Sequence, residues 1–279
     1  MSSIAGNRFY GSVWSPKSGS LDLSRPNCFF KFRLSDQIGQ EYVSGISIIL
    51  VGKGILSLCL DHRNYQLSPR QFAIAKPGNA VKFTSTENDT EILIVTLESS
   101  HADEHSHLLE GSYPLDDTHL GIQLKDLFDR LSIGSQIKDQ RLTELFLREL
   151  DAHQKRIREK IENIKSVKGS TREEVYRQIL KVEVYIEDNL NAKIQLSDLC
   201  DVAGISRFHF LRKFQEANDL SPHQYILRRK VRKSCSLINQ HQLTLSEIAS
   251  QAGLGSIHNF SKVFKRIMGF PPSELRKTG

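Results

Sequence analysis

The sequence repeats itself. Leu196-Ser-Asp-Leu-Cys-Asp-Val-Ala-Gly204 returns as Leu245-Ser-Glu-Ile-Ala-Ser-Gln-Ala-Gly253, 49 residues on. Arg212-Lys-Phe214 parallels Lys262-Val-Phe264, and Leu220-Ser-Pro222 parallels Phe270-Pro-Pro272, now 50 residues on, because the second copy has one more residue in its turn. A duplication of this length means two copies of one supersecondary unit. Each copy predicts helix, tight turn, helix. Thr244 and Glu247 have the spacing of a capping box, while the first copy keeps Asp198 but has Gln195, a poorer cap. Leu199, Val202 and Ala203, matched by Ile248, Ala249 and Ala252, give each first helix an apolar face. Gly204 and Gly253 stop those helices, and Ser206 and Ser256 can cap the next ones. Phe210 with Phe214, and Phe260 with Phe264, stand four apart and face inward.

The opposite face of each second helix is left for solvent or for a partner. It offers Arg207, Phe208, Leu211 and Arg212 in the first copy, and Ile257, His258, Asn259, Ser261 and Lys262 in the second. A helix fits the major groove of B-DNA, where Arg bonds guanine, Asn bonds adenine and an apolar group meets the thymine methyl. A single such helix would more simply be a solvated face; two copies in a basic segment favour DNA. Residues 193–279 hold 14 Lys/Arg against 6 Asp/Glu, whereas residues 1–192 hold 24 against 26. Positive charge at one end suits a polyanion. Between the copies, Pro222–Gln240 reads as a helix capped by Ser221. Its Arg228, Arg229, Lys230, Arg232 and Lys233 form the densest basic cluster, some of which, Arg228 and Arg229 first, are expected to reach phosphate. If rigid, this helix sets the two reading helices about one DNA turn apart, roughly 34 Å.

Residues from about Val175 to Lys277 resemble the DNA-binding domain of the AraC/XylS family of bacterial transcription regulators. The resemblance rests on Tyr185-Ile-Glu-Asp-Asn-Leu190 and on Ile248-Ala-x-x-Ala-Gly-Leu254 through Phe260-Ser-Lys-Val-Phe-Lys265 to Gly269-Phe-Pro-Pro272. It implies seven helices in two subdomains joined by the Pro222–Gln240 helix, with DNA contacted by the two helices named above. Asn218-Asp219 replaces the usual glycine of the first unit's turn, and Leu254 and Leu275 replace more usual aromatics. The resemblance also implies an activator that meets RNA polymerase, and an N-terminal domain for effector binding or dimerisation, often a cupin-like barrel.

The first half supports a β-rich fold. Cys28–Leu34, Tyr42–Leu50, Ile55–Leu60, Phe72–Lys76, Val81–Thr84 and Glu91–Leu97 are predicted strands, separated by turns that include Asp61-His-Arg-Asn64 and Pro77-Gly78-Asn79. Short strands at this spacing indicate a sandwich or small barrel. The run Gly52–Pro69–Gly78 resembles a degraded cupin pattern from which the metal-binding His/Glu set is missing, with Ala80 and Val81 where a ligand histidine would stand. No metal or other cofactor is expected. Barrel mouths hold small molecules, and Lys31, Arg33 and Lys82 are the cations expected to meet an anionic effector, with His62 and Lys76 also in reach. The His101–His107 cluster reads as a solvated loop rather than a metal site. From Thr118 the period turns helical. A long helix over residues 139–164 carries the stripe Leu142, Leu145, Phe146, Leu150, His153, Ile157, Ile161 and Ile164, which packs either on its own barrel or on its copy in a homodimer.

The expected fold class is therefore α+β: a cupin-like barrel with helices over residues 1–165, a linker over 166–174, and an all-α domain with two helix-turn-helix units over 175–279. Cys28, Cys59, Cys200 and Cys235 are scattered in apolar runs and read as small core residues. No run approaches the roughly 18–20 apolar residues of a membrane span, and Met1–Tyr10 lacks the apolar segment of a signal peptide, so a cytoplasmic location is expected. Two other functions compete with a DNA-binding regulator: a cupin-type metalloenzyme with a DNA-targeting module, and a regulator governed by a protein partner.

Overall fold

The computed structural model describes residues 27–34, 38–60, 62–85, 89–98, 108–115, 118–165, 169–240 and 242–278. The His101–His107 cluster and Met1–Tyr10 lie outside them. The chain divides into two compact units, Met1–Ile157 and Arg158–Gly279.

The first unit holds ten strands among the described residues: β1 (Cys28–Leu34), β2 (Ile38–Tyr42), β3 (Ile46–Lys53), β4 (Leu56–Leu60), β5 (Arg63–Leu67), β6 (Gln71–Ala75), β7 (Ala80–Ser85), β8 (Thr90–Leu97), β9 (Gly111–Pro114) and β10 (Gln136–Ile137). They form two antiparallel sheets, one in the order β10-β1-β8-β3-β6-β9 and one in the order β2-β7-β4-β5. Phe30, Phe32, Ile49, Val51, Ile92 and Ile94 from the first sheet share one apolar core with Leu56, Leu58, Leu60, Val81 and Phe83 from the second. The two sheets carry different sequence patterns because their outer faces differ. β4 alternates buried and half-buried residues, as a strand with one wet face must. β3 reads Ile-Ser-Ile-Ile-Leu-Val with all six buried, because helices cover the outer face of its sheet.

Those helices are α1 (His119–Arg130) and the start of α2 (Gln140–Asn163). Thr118 caps α1 by accepting from the Gly121 N–H at 2.9 Å, and Asp139 accepts from the Leu142 N–H at 3.0 Å at the start of α2. Phe146 of α2 lies 5.7 Å from Phe29, and His153 meets Phe72 at 5.5 Å and Tyr113 at 4.8 Å, between ring centroids. The buried Gln154 amide accepts from the Leu109 N–H at 2.9 Å. Phe146 and His153 of the stripe read on this helix thus pack on the unit's own sheet, Leu142 and Leu145 remain half-buried, and Ile161 and Ile164 fall in the second unit.

The six strands expected from sequence are present within a few residues. β2, β5, β9 and β10 are additions to them. β5, Arg-Asn-Tyr-Gln-Leu, overlaps a stretch that reads as turn because it is a polar edge strand; only positions 61 and 62 separate it from β4.

Among the described residues the second unit has seven helices after the end of α2: α3 (Gly169–Asp188), α4 (Leu196–Ala203), α5 (Arg207–Asn218), α6 (Pro222–Asn239), α7 (Leu245–Gln251), α8 (Ile257–Met268) and α9 (Pro272–Thr278). The expected linker over 166–174 needs correction, because helix α3 starts at Gly169. Its first turns are polar and show no period; the buried stripe of Val175, Tyr176, Ile179, Val182 and Ile186 begins only later. Among the described residues no helix is long and apolar enough to cross a membrane.

Candidate nucleic-acid interface

The helix pairs α4–α5 and α7–α8 are built alike. Asp198 accepts from the Gln195 N–H at 2.9 Å, so the first unit does carry half a capping box despite its weak cap residue. In the second unit Thr244 accepts from the Glu247 N–H at 3.2 Å and Glu247 accepts back from the Thr244 N–H at 2.7 Å. That backbone bond, reinforced by the Thr244 hydroxyl, holds the Glu247 carboxyl below its ordinary range. Gly204 and Gly253 take φ of +66° and +65° at the two turns. Ser256 caps α8 by accepting from the Asn259 N–H at 3.3 Å, whereas Ser206 makes no side-chain cap bond to α5. Phe210 and Phe214 pack at 5.5 Å, Phe260 and Phe264 at 5.6 Å, and all four are fully buried.

Burying those rings fixes which face each helix shows to water. On α5, Arg207, Phe208 and Arg212 are exposed and Leu211 is half-buried; Phe208 is 78% exposed. An aromatic ring this exposed on a helix whose other rings are buried takes no part in the core. On α8, Ile257, His258, Asn259 and Lys262 are exposed and Ser261 is half-buried. Both helices therefore turn these residues outward, Leu211 and Ser261 only in part. Asn259 also braces the turn before α8, where its amide nitrogen donates to the Leu254 carbonyl at 2.8 Å. A bidentate bond to adenine needs that same nitrogen. Sequence reasoning misses three exposed residues. Gln215 continues the Phe208–Leu211–Arg212 face, and Lys265 and Arg266 extend the α8 face. The i+4 steps from Leu211, Ser261 and Lys262 are the available signal.

The basic cluster of α6 divides in two. Arg228 and Arg232 are exposed, one turn apart. Arg229 is not available to phosphate: it is 4% exposed and its guanidinium pairs with the buried Glu187 of α3. Lys230 is also buried, donating to the Gly253 carbonyl at 2.7 Å and the Ala192 carbonyl at 3.4 Å, and burial lowers its pKa. Lys233 donates to the Asn191 side chain. Gly253 belongs to the second unit's turn, and Asn191 and Ala192 follow α3. A Cβ at Gly253 would come within 2.6 Å of the Leu190 carbonyl oxygen. Lys230 thus ties the second unit's turn to the segment after α3, and Lys233 holds α6 to that same segment.

The cations of the β-rich unit also separate. In β1, Cys28, Phe30, Phe32 and Leu34 point into the sandwich, so Lys31 and Arg33 point outward. Lys31 is buried under the end of α1, donating to the Phe128 and Leu131 carbonyls at 2.7 and 2.8 Å with its ammonium 3.8 Å from the centre of the Phe128 ring. It closes the α1 C-terminus, where a cation is favourable. Arg33 pairs with Glu91 at 3.0 Å and Asp89 at 2.8 Å. Lys82 is exposed on the outer face of the four-stranded sheet and lines an open groove of about 380 Å³ with Ser57, Cys59, Asn64, Gln66 and Thr84. The three expected effector cations thus lie outside the apolar interior, which rows of buried side chains fill.

Comparison with known proteins agrees with this build. Residues 199–278 match the family model of a helix-turn-helix domain. LumQ of Photobacterium leiognathi, in name a probable transcriptional regulator, is 34% identical over 95 residues, covering 34% of this chain and 38% of that protein. A Streptomyces lividans protein named as an AraC-like transcription regulator is 32% identical over 82 residues, covering 29% of this chain and 27% of that one. The C-terminal unit is thus similar to helix-turn-helix domains of transcription regulators, one of them AraC-like by name. In both relatives the match spans well under two thirds of the relative's own length. The solved structure of ToxT from Vibrio cholerae aligns over 89% of this chain and 97% of that one at 15% identity and a TM-score of 0.37.

Proposed function

We propose that this chain is a sequence-specific DNA-binding transcription regulator of the AraC type, with α5 and α8 entering successive major grooves. The observation that carries this reading is the pair of equally built units whose second helices hold their aromatic rings in the core and their cations, amides and the free Phe208 ring outside. Arg207, Phe208, Leu211 and Arg212 read one half-site. Ile257, His258, Ser261 and Lys262 read the other, Asn259 serving mainly the turn. Arg228 contacts phosphate. The named relatives are regulators, which supports regulation rather than catalysis. Activation through RNA polymerase, in a cytoplasmic setting, belongs to the same proposal.

The N-terminal unit governs the activity, through a small molecule or through self-association. Of the three cations named for an effector, Lys82 lines a groove with room for an anion. Selection of random duplexes on the purified full chain tests the main claim: an enriched motif of roughly 20 base pairs in two half-sites is expected, and its absence overturns the reading. Arg212→Ala is expected to weaken the selected duplex by about 1–3 kcal/mol and relax the sequence at one half-site. An equal loss on random DNA would make Arg212 a phosphate contact instead.

A further inference from the structure

One lysine of the reading helix α5 points the wrong way for DNA. Lys213 is fully buried, yet it follows Arg212 directly. Its ammonium donates to the Lys165 carbonyl at 2.7 Å and to Glu216 Oε2 at 2.8 Å. The same carboxylate oxygen accepts from the Lys165 N–H at 3.0 Å. Both backbone groups of Lys165 are therefore held by two side chains of α5. Lys165 stands just beyond α2, where backbone carbonyls lack helical partners and a cation is favoured. One turn earlier, Lys160 of α2 donates to the buried Glu183 of α3 at 3.0 Å, so the exit of α2 is tied to this unit at two points.

The third partner of Glu216 is what gives this cluster a use. Glu216 Oε1 lies 3.9 Å from the Arg212 guanidinium, the group placed above on a base. One carboxylate thus faces the reading arginine with one oxygen and the α2 exit with the other. Drawing Arg212 onto DNA removes a cation from Glu216 and leaves its charge to Lys213 and the Lys165 N–H. A leucine at 213 would fill the core without desolvating a charge; the lysine is explained by the bond it makes to the connecting segment. We propose that Glu216 and Lys213 form a latch coupling the DNA contact of α5 to the exit of α2, the segment through which the N-terminal unit is joined to the reading helices. Glu216 is a positioning residue here, acting through Arg212 and Lys165. This rests on the DNA-binding reading above and names its regulation.

Hydrogen exchange on the full chain, with and without the duplex recovered by selection, tests the latch. In the unaltered protein, duplex should change the exchange of the Lys160–Lys165 amides as well as protect α5 and α8. In Glu216→Gln, which keeps the shape and loses the charge, α8 should stay protected while the response at 160–165 disappears and discrimination at the α5 half-site falls several-fold. Lys213→Met, checked for an intact fold by circular dichroism, should give the same loss. Protection of both reading helices with no change at 160–165, or a response that survives Glu216→Gln, overturns the latch. Should no duplex protect α5 or α8 at all, the functional reading itself falls and the latch with it.

Discussion

Arg228 and Arg229 are adjacent and chemically identical, and the sequence treats them alike. The fold does not. Arg229 is buried against Glu187, while Arg228 is exposed. The difference is set by a carboxylate 42 residues away, which no local pattern reveals. Removing one member of a buried pair strands the other, so Glu187→Ala should cost about 3–5 kcal/mol, read from urea unfolding. Arg228→Ala should leave unfolding unchanged and lower the slope of log affinity against log salt by about 0.9. Finding that Arg229→Ala lowers the slope without loss of stability would reverse these assignments. Lys230 adds a pH dependence. Burial lowers its folded pKa below the ordinary 10.5, so in that window the unfolded chain binds more protons. Stability from this group therefore rises with pH from the lowered value up to 10.5 and is lowest when Lys230 is charged. A Lys230→Met variant should lack that alkaline rise in denaturation curves taken across the range.

Elements are legible where their period and their punctuation agree. The helices of the duplicated units are, because glycine and capping residues bracket their apolar faces. The start of α3 is not, since polar first turns look like linker until Val175. β1, Cys28–Leu34, shows in its apolar run, whereas two-residue β10 exists only because β1 offers it an edge. The way α5 and α8 end allows a clean comparison. Gly269 closes α8 at φ +86°, and a Cβ there would meet nothing within 4 Å. Gly269→Ala should thus cost only the backbone penalty, about 1–2 kcal/mol. The first unit has Asp219 at φ +55° in the matching place. Asp219→Gly should stabilise by up to about 1 kcal/mol in thermal unfolding, and a loss of stability would mean that the aspartate side chain matters. At the other end of a unit, Thr244→Ala should destabilise by about 1 kcal/mol. The carboxylate side of that cap is present above 4.5 and fades as pH falls through the lowered Glu247 value.

For the molecule as a whole, the sequence discloses the two reading faces but not what fixes the distance between them. Lys230 and the close approach of Gly253 to Leu190 lock the second unit to the stretch after α3, to which Lys233 also holds α6. A locked pair demands one spacing. Inserting about five base pairs between half-sites, half a helical turn, should reduce affinity to that of a single half-site. If both half-sites still contribute after the insertion, α6 is a flexible tether instead.

Gly204 and Gly253 began as the same letter of a doubled text. A methyl group would find open space at the first and strike the Leu190 carbonyl at the second. The two glycines have consequently come to serve different needs. One turn has become a plug and the stretch after α3 its socket, so a side chain at 204 would strain only its own turn, whereas one at 253 would also part the plug from its socket.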